Sequence, residues 1–407
     1  MKTIASEKIL FESLEPGRIF CYSPGLAALQ EGRIIATFEI AAALDKQKSS
    51  FRSSSMVYFS DDNGLSWEKC AEFDMEMPRP FVSGNDLYLI GHKGDLNIAR
   101  SDDGGRSWTE LSPLTNGEKW HQSSCNFVSD GKHVRMALEK HIYFDVAGWP
   151  VSALSPVLLK GKIGADLLKR ENWTFSEEKA FRDLIDSRDL DYFGIPFYST
   201  PEKESAYPFP GRECAPMGWL EGNVVKISDP DHYWHDDSSH HIFLRAHTGS
   251  SGYAAVIKAV EKADGTIRLE MQKAPSGKNT LFVPCPGGHL KFHIIKDPET
   301  KLFWLLSSQS TDSMTRAESL PEDRYNLPNN ERNRLQLHFS TNCVDWLYAG
   351  LVAAGKTSRE SRNYASMVIN GNDLHVLSRS GNSYAESAHN GNLITHHIVK
   401  DFRDYAY

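Results

Sequence analysis

Polar side chains recur where short apolar segments end. Glu39, His92, Glu139, His141, Arg245, His247 and Arg379 each stand at or just past the close of such a run. Strand ends that share a register converge on one cavity when their strands pack around an axis. The residue types cover the needs of a reaction there. Carboxylates and imidazoles move protons, and guanidiniums grip an anion with paired, directional bonds. A solvated strand end is the plain alternative for each residue taken singly; the common register is the reason to take them together. A second grouping is Cys285, His289 and His293, in the pattern C-x-x-x-H-x-x-x-H through Pro286-Gly287-Gly288. With His247 these would make a four-ligand zinc site. The spacing is loose and Gly-Gly reads as a turn without metal, so neither metal nor cofactor is expected.

What must position these residues is a repeat: a short strand, a Gly or Asn turn, and an apolar strand ending on a polar side chain. It occurs at 22–29 with 34–39, 80–83 with 87–92, 126–129 with 133–139, 219–227 with 241–245, 290–295 with 302–307, and 365–369 with 374–379. Outside these pairs lies an octet, Ser60-Asp61-Asp62-Asn63-Gly64-Leu65-Ser66-Trp67, which recurs as Ser101-Asp102-Asp103-Gly104-Gly105-Arg106-Ser107-Trp108. Both fit S-x-D-x-G-x-x-W. A worn copy, Ser340-Thr341-Asn342-Cys343-Val344-Asp345-Trp346, keeps the Ser and a Trp. In a hairpin turn the Asp accepts backbone N–H groups, the Gly supplies positive φ, and the Trp packs the turn on the sheet. Repeats at this period mark a propeller. The expected fold is therefore all-β: a six-bladed β-propeller occupying residues 1–407 as one domain, with seven blades as the alternative count. Loop insertions are expected at about 181–216 and 312–330, and the strand around Ile9-Leu10-Phe11 is expected to pair into the last blade and close the ring.

Bulk properties narrow the function classes. The net charge of −8 and the absence of a basic run disfavour nucleic acid. No 18-residue apolar run exists, so no membrane span is expected. Met1 to Lys8 carries no apolar leader segment, which predicts a cytoplasmic protein, or a secreted or periplasmic one if a leader has been trimmed. The six cysteines are scattered and require no disulfides. Nothing in the sequence sets an oligomeric state.

The octet is the Asp-box (BNR repeat), and the chain resembles the sialidase (neuraminidase) superfamily of β-propeller glycosidases. Trp219-Leu220-Glu221-Gly222-Asn223-Val224-Val225 resembles the strand that carries that family's glutamate. Asn363-Tyr364-Ala365-Ser366-Met367-Val368 resembles the segment that carries its tyrosine nucleophile, and Thr37-Phe38-Glu39, followed by Asp45, the segment with its acid/base aspartate. Arg245 and Arg334 fall near its carboxylate-gripping arginines. The resemblance thus implies Tyr364, Glu221 and Asp45 as a retaining catalytic set, acting on a terminal acidic sugar of a glycan. A neutral Tyr avoids the repulsion that a carboxylate nucleophile would meet beside a sugar carboxylate. One departure matters: the family's first arginine is replaced by Tyr22 in Tyr22-Ser23-Pro24, with Arg79 the candidate to compensate. Two other classes remain. Some propellers are polysaccharide lyases, and His121, His141, Tyr253 and Arg245 would supply such a set for β-elimination next to a uronate. A non-catalytic glycan-binding propeller is the third.

Overall fold

The computed structural model describes residues 2–45, 47–48, 50–122, 125–185, 203–247 and 252–407. Six antiparallel sheets form a ring, the arrangement of a six-bladed β-propeller. Blade one consists of Ile19–Ala28, Ile34–Ala43, Phe51–Ser60 and Glu68–Phe73, laid down from the axis outward. Blades two to five follow in chain order. Blade six takes Arg362–Asn370, Asp373–Ser380 and Leu393–Val399 from the C-terminal part, and Ser6–Glu12 from the N-terminal part. Ser6 pairs with Ile398 and Glu12 with Leu393, so the expected closure occurs. Arg362 adds a fork to the Glu7 carboxylate, at 2.9 and 2.7 Å.

The inner strands are apolar on both faces because each is sandwiched between neighbours. Every residue of Gly218–Val225 is buried. The cores lie between blades: Ala137 and Leu158 of blade three pack with Trp219, Ile242 and Leu244 of blade four.

The octets occupy outer hairpin turns. Asp62 Oδ1 accepts from Ser60 Oγ and the Ser66 amide, both at 2.8 Å, while Ser60 Oγ accepts from the Gly64 amide at 2.8 Å. Asp103 repeats the pattern with Ser101 and Ser107. In the worn copy Asn342 does the same work, accepting from the Val344 and Asp345 amides at 2.9 Å. Each turn packs on the preceding blade rather than only on its own sheet. Trp67 meets His396 of blade six edge-on at 5.2 Å, Trp108 joins the cluster of Ile35 and Val57, and Trp346 that of Phe243 and Val256. The octet is a staple between blades.

Blade three departs from the expected pattern. Its inner strand is not 126–129 but two short pieces, Trp120–Gln122 and Val128–Ser129, both paired to His133–His141. Asn126 leaves the ladder instead. Its amide donates to Val224 O and Ile294 O at 2.9 Å and accepts the Val224 amide at 2.7 Å, tying three blades together. Of the two insertions, 181–216 contains the turn of helix Phe181–Leu184 and the hairpin Ala206–Phe209 with Arg212–Cys214, part of it lying outside the described residues. The 312–330 segment contains short 3-10 turns at Ala317–Ser319 and Pro328–Asn330. Arg212 joins the two insertions through the carbonyls of Leu320, Pro321, Arg324 and Asn326. Among the described residues no helix is long and apolar enough to cross a membrane.

Gly64 has φ +81° and a Cβ there would overlap the His396 ring; Gly32 has φ +85° and faces open space. Gly32→Ala should cost about 1–2 kcal/mol, the left-handed penalty alone. Gly64→Ala should cost about 1–3 kcal/mol more, from overpacking. Urea midpoints of the two variants test the difference; equal losses would show that the octet does not staple blades.

Candidate active site

Four inner strands carry a bulge at the same level. The ladder skips between Tyr22 and Gly25, Glu76 and Arg79, Leu220 and Asn223, and Asn363 and Ser366. Within each skip sits a non-glycine residue in the left-handed region: Ser23 at φ 49°, Met77 at 55°, Glu221 at 61° and Tyr364 at 51°. A bulge re-aims a side chain, and such strain persists only where the surroundings over-determine it.

The surroundings here are the polar strand ends. Glu39 Oε2 accepts the Met77 amide of the next blade at 3.2 Å. His92 Nε2 meets His121 O at 2.8 Å. Glu139 Oε1 accepts the Gly222 amide at 3.1 Å. Arg245 Nε donates to His289 O at 2.9 Å. Each of these blades thus holds the next at the axis. Burial pushes the Glu39 carboxyl up to about 7, with Glu76 adding, and Glu139 up to about 8, with Glu221 adding. Burial likewise lowers His92 to about 4.

On one side of the axis the side chains form a compact set around Tyr364. Arg245 Nη1 donates to Tyr364 Oη, and Glu221 Oε2 lies 3.6 Å from that same nitrogen. Arg245 is the bridge: Glu221 and Tyr364 share it rather than bonding one another. Burial works to lower the Arg245 pKa, but Tyr364 and Glu221 outweigh it and hold it raised. The guanidinium carbons of Arg332, Arg379 and Arg245 stand 4.9, 5.1 and 5.9 Å from the centre of the Tyr364 ring. Arg332, Arg379 and Arg245 are only 3%, 3% and 1% exposed. Among the described residues, Glu221 on Arg245 is the one carboxylate paired with any of them. The Nε atoms of Arg332 and Arg379 are buried without a hydrogen-bond partner. Buried cations without counter-ions are costly, and this arrangement can take an anion.

The expected residues fall as follows. Tyr364, Glu221, Arg245 and Arg379 come together. Tyr22 lies beside them, with Arg379 Cζ 4.2 Å over its ring and its hydroxyl donating to Asn390 Oδ1 at 2.6 Å. Burial pushes the Tyr22 phenol up to about 12. Arg334 is turned away: it pairs with Glu331 at 2.5 Å and donates to Thr311 Oγ1. Arg332, two residues earlier, occupies the site instead. Arg79 does not compensate for the missing arginine. Its guanidinium ties blades together, donating to Ser366 Oγ at 2.9 Å and Pro24 O at 3.3 Å. Arg379 of blade six is the guanidinium beside Tyr22. Asp45 accepts from Ser50 Oγ at 2.7 Å within its own loop. Lys48 of that loop pairs with Glu386, and Glu386 accepts from Asn390, the partner of Tyr22.

His92, His121 and His141 interact with one another at blades two and three, whereas the contacts of Arg245 run to Glu221 and Tyr364. Tyr253 is half-buried in an outer strand of blade four, paired to Pro284. Cys285, His289 and His293 form no metal cluster among the described residues. His293 Nδ1 accepts the Met367 amide at 2.8 Å and is spent on the blade junction. The side chain of His247 lies outside the described residues. Three neighbours were not anticipated: Tyr325, stacked on His389 at 5.3 Å; His389 itself; and Trp149, 5.5 Å from Arg245 Cζ.

No protein-family model and no curated protein sequence matches the chain. Solved structures do. A mutant Trypanosoma rangeli sialidase displaying trans-sialidase activity superposes with a TM-score of 0.52 at 12% identity, over 97% of this chain. The chain spans 59% of that sialidase. A Hadza microbial sialidase gives 0.54 at 14% identity, over 97% of this chain and 68% of its own. A Penicillium chrysogenum α-L-arabinanase complexed with arabinobiose gives 0.50 at 11%, over 98% of both chains. At such identities the likeness shows the propeller fold.

The unpaired guanidiniums make a stability prediction. Arg379→Met should leave stability unchanged or raise it by about 1–2 kcal/mol in anion-free buffer, since it removes an uncompensated buried charge. Arg362→Met, which strips Glu7 of its partner, should lower it. Acetate, against chloride at equal ionic strength, should raise the Tm of the wild type but not of Arg379→Met. An Arg379→Met variant as unstable as Arg362→Met would refute the anion site.

Proposed function

We propose that the protein is a glycosidase that removes a terminal, carboxylated sugar from a glycan. The observation that carries this reading is the convergence of three buried guanidiniums on Tyr364, two of them without a carboxylate. The substrate carboxylate completes the set. In the free protein Arg245 Nη1 occupies the Tyr364 hydroxyl. An incoming carboxylate draws that nitrogen, which brings Glu221 into play as the base. Tyr364 Oη then attacks the anomeric carbon, its proton passing to Glu221, while the bond to the leaving oxygen breaks and Asp45 protonates that oxygen. Water, deprotonated by Asp45, releases the sugar from Tyr364 in the second step, and Glu221 returns the proton.

The choice of Asp45 is supported by the position of its loop, which is pinned through Lys48 and Glu386 to the segment beside Tyr22. The shift of one arginine from blade one to blade six alters the angle at which an anion is held. Sugars other than sialic acid therefore fit the reading, provided they are acidic.

The test is a panel of 4-methylumbelliferyl glycosides carrying N-acetylneuraminic or glucuronic acid, with product mass read in H₂¹⁸O. Uptake of one labelled oxygen is expected. Tyr364→Phe should lower kcat by at least about 10²–10⁴-fold with folding intact, Arg245→Lys should raise KM sharply, and Tyr22→Arg should shift preference toward the neuraminide. An unsaturated product without label would establish a lyase. Binding without turnover would establish a glycan-binding propeller.

A further inference from the structure

Glu139 stands near the end of the second strand of blade three and is fully buried. What it does touch is the backbone that presents Glu221. Its Oε1 accepts the Gly222 amide across the blade junction, and the Glu221 amide also bonds to it. Glu221 stands there in the left-handed region, at φ 61°, in a strand whose ladder has been interrupted. A bulged turn of a non-glycine residue relaxes unless something holds its free amides. The second carboxyl oxygen, Oε2, is buried with no hydrogen-bond partner.

We propose that Glu139 is a positioning residue: by clamping the Gly222 amide it fixes the turn that aims Glu221 at Arg245 and Tyr364. The inference rests on the glycosidase reading for what Glu221 does, while the clamp itself is independent of it. Fixed geometry of this kind matters because a displacement of about 1 Å in a reacting group costs on the order of 10²-fold in rate.

The groups facing Glu139 are Glu221 from blade four, Lys291 from blade five and Cys125 of its own blade, with Arg79 of blade two on Cys125. Burial raises Glu139 to about 8 and lowers Lys291, so at neutral pH Glu139 keeps its proton and adds no charge beside Glu221. Above about pH 8 it ionises and places a negative charge at the turn.

The test uses the full chain with Glu139→Ala and Glu139→Gln. Hydrogen exchange of the peptide 218–225 reads the clamp without any activity. It should quicken in Glu139→Ala and stay near wild type in Glu139→Gln, which retains an acceptor oxygen. On the aryl glycoside turned over by the wild type, Glu139→Ala should lose kcat by on the order of 10²-fold with KM within about twofold. Glu139→Gln should recover most of that loss and lack the alkaline fall in kcat. Unchanged exchange in Glu139→Ala, a Glu139→Gln as slow as Glu139→Ala, or an unaltered alkaline limb in Glu139→Gln would each overturn the proposal. If Glu139→Ala does not fold, the alkaline limb of Glu139→Gln decides. Retained activity in Tyr364→Phe would instead sink the glycosidase reading and leave the exchange result standing.

Discussion

The structure depends on how bulged inner strands are satisfied at the axis. Inner strands converge there, and a bulge frees amides and carbonyls that must find partners. The second strand of the preceding blade meets bulged backbone at Met77 and Gly222 through Glu39 and Glu139, and the carbonyls of His121 and His289 through His92 and Arg245. This one contact, repeated from blade to blade, makes the ring and the site a single object. Removing the bulges would give smoother ladders and an axis lined by strand backbone. With them, left-handed residues such as Glu221 and Tyr364 can be turned to a common point.

The set around Tyr364 shows why stability is given up there. Three guanidiniums within about 6 Å of one ring repel each other in a medium that screens poorly. Arg332 lowers the pKa of Arg379, adding to the larger effect of burial. Aromatic faces offset part of this. Tyr22, Tyr325 and Tyr364 each lie under at least one guanidinium. The remainder is uncompensated, so the set costs stability where it stands.

Much of the fold was legible because its signals are local. The octet fixes its own turn with its own Ser and Asp, and the repeat of apolar pairs followed the chain order of the blades. Arg245 was legible as a polar strand end, and Tyr364 and Glu221 through the resemblance of the segments that carry them. Arg332 was not. It sits two residues before Arg334, outside the strand that Arg334 opens, and the contacts that hold Arg334 away, to Glu331 and Thr311, have no signature in the spacing. Arg379 was visible as a polar strand end, but its place over Tyr22 depends on the ring closing blade six against blade one. Arg79 misled for the converse reason: it has the right charge near the right place, but its hydrogen bonds go to Ser366 and Pro24. The Cys285–His293 spacing reflects blade packing: His293 accepts a backbone amide from the inner strand of the next blade, a long-range contact with no trace in local sequence.

The acidic residues of this chain divide by depth. Asp62 and Asp103, at the exposed rim, are held at about 2 by hydrogen bonds from their own turns, so they stay ionised and serve as staples. Glu39 and Glu139, at the axis, are raised by burial to about 7 and about 8. The same chemical group is thus fully charged where water solvates it and shifted toward its neutral form where burial removes that water. A chain with a formal net charge of −8 thus gathers three buried guanidiniums around one ring at its centre, with the Glu221 carboxyl beside Arg245.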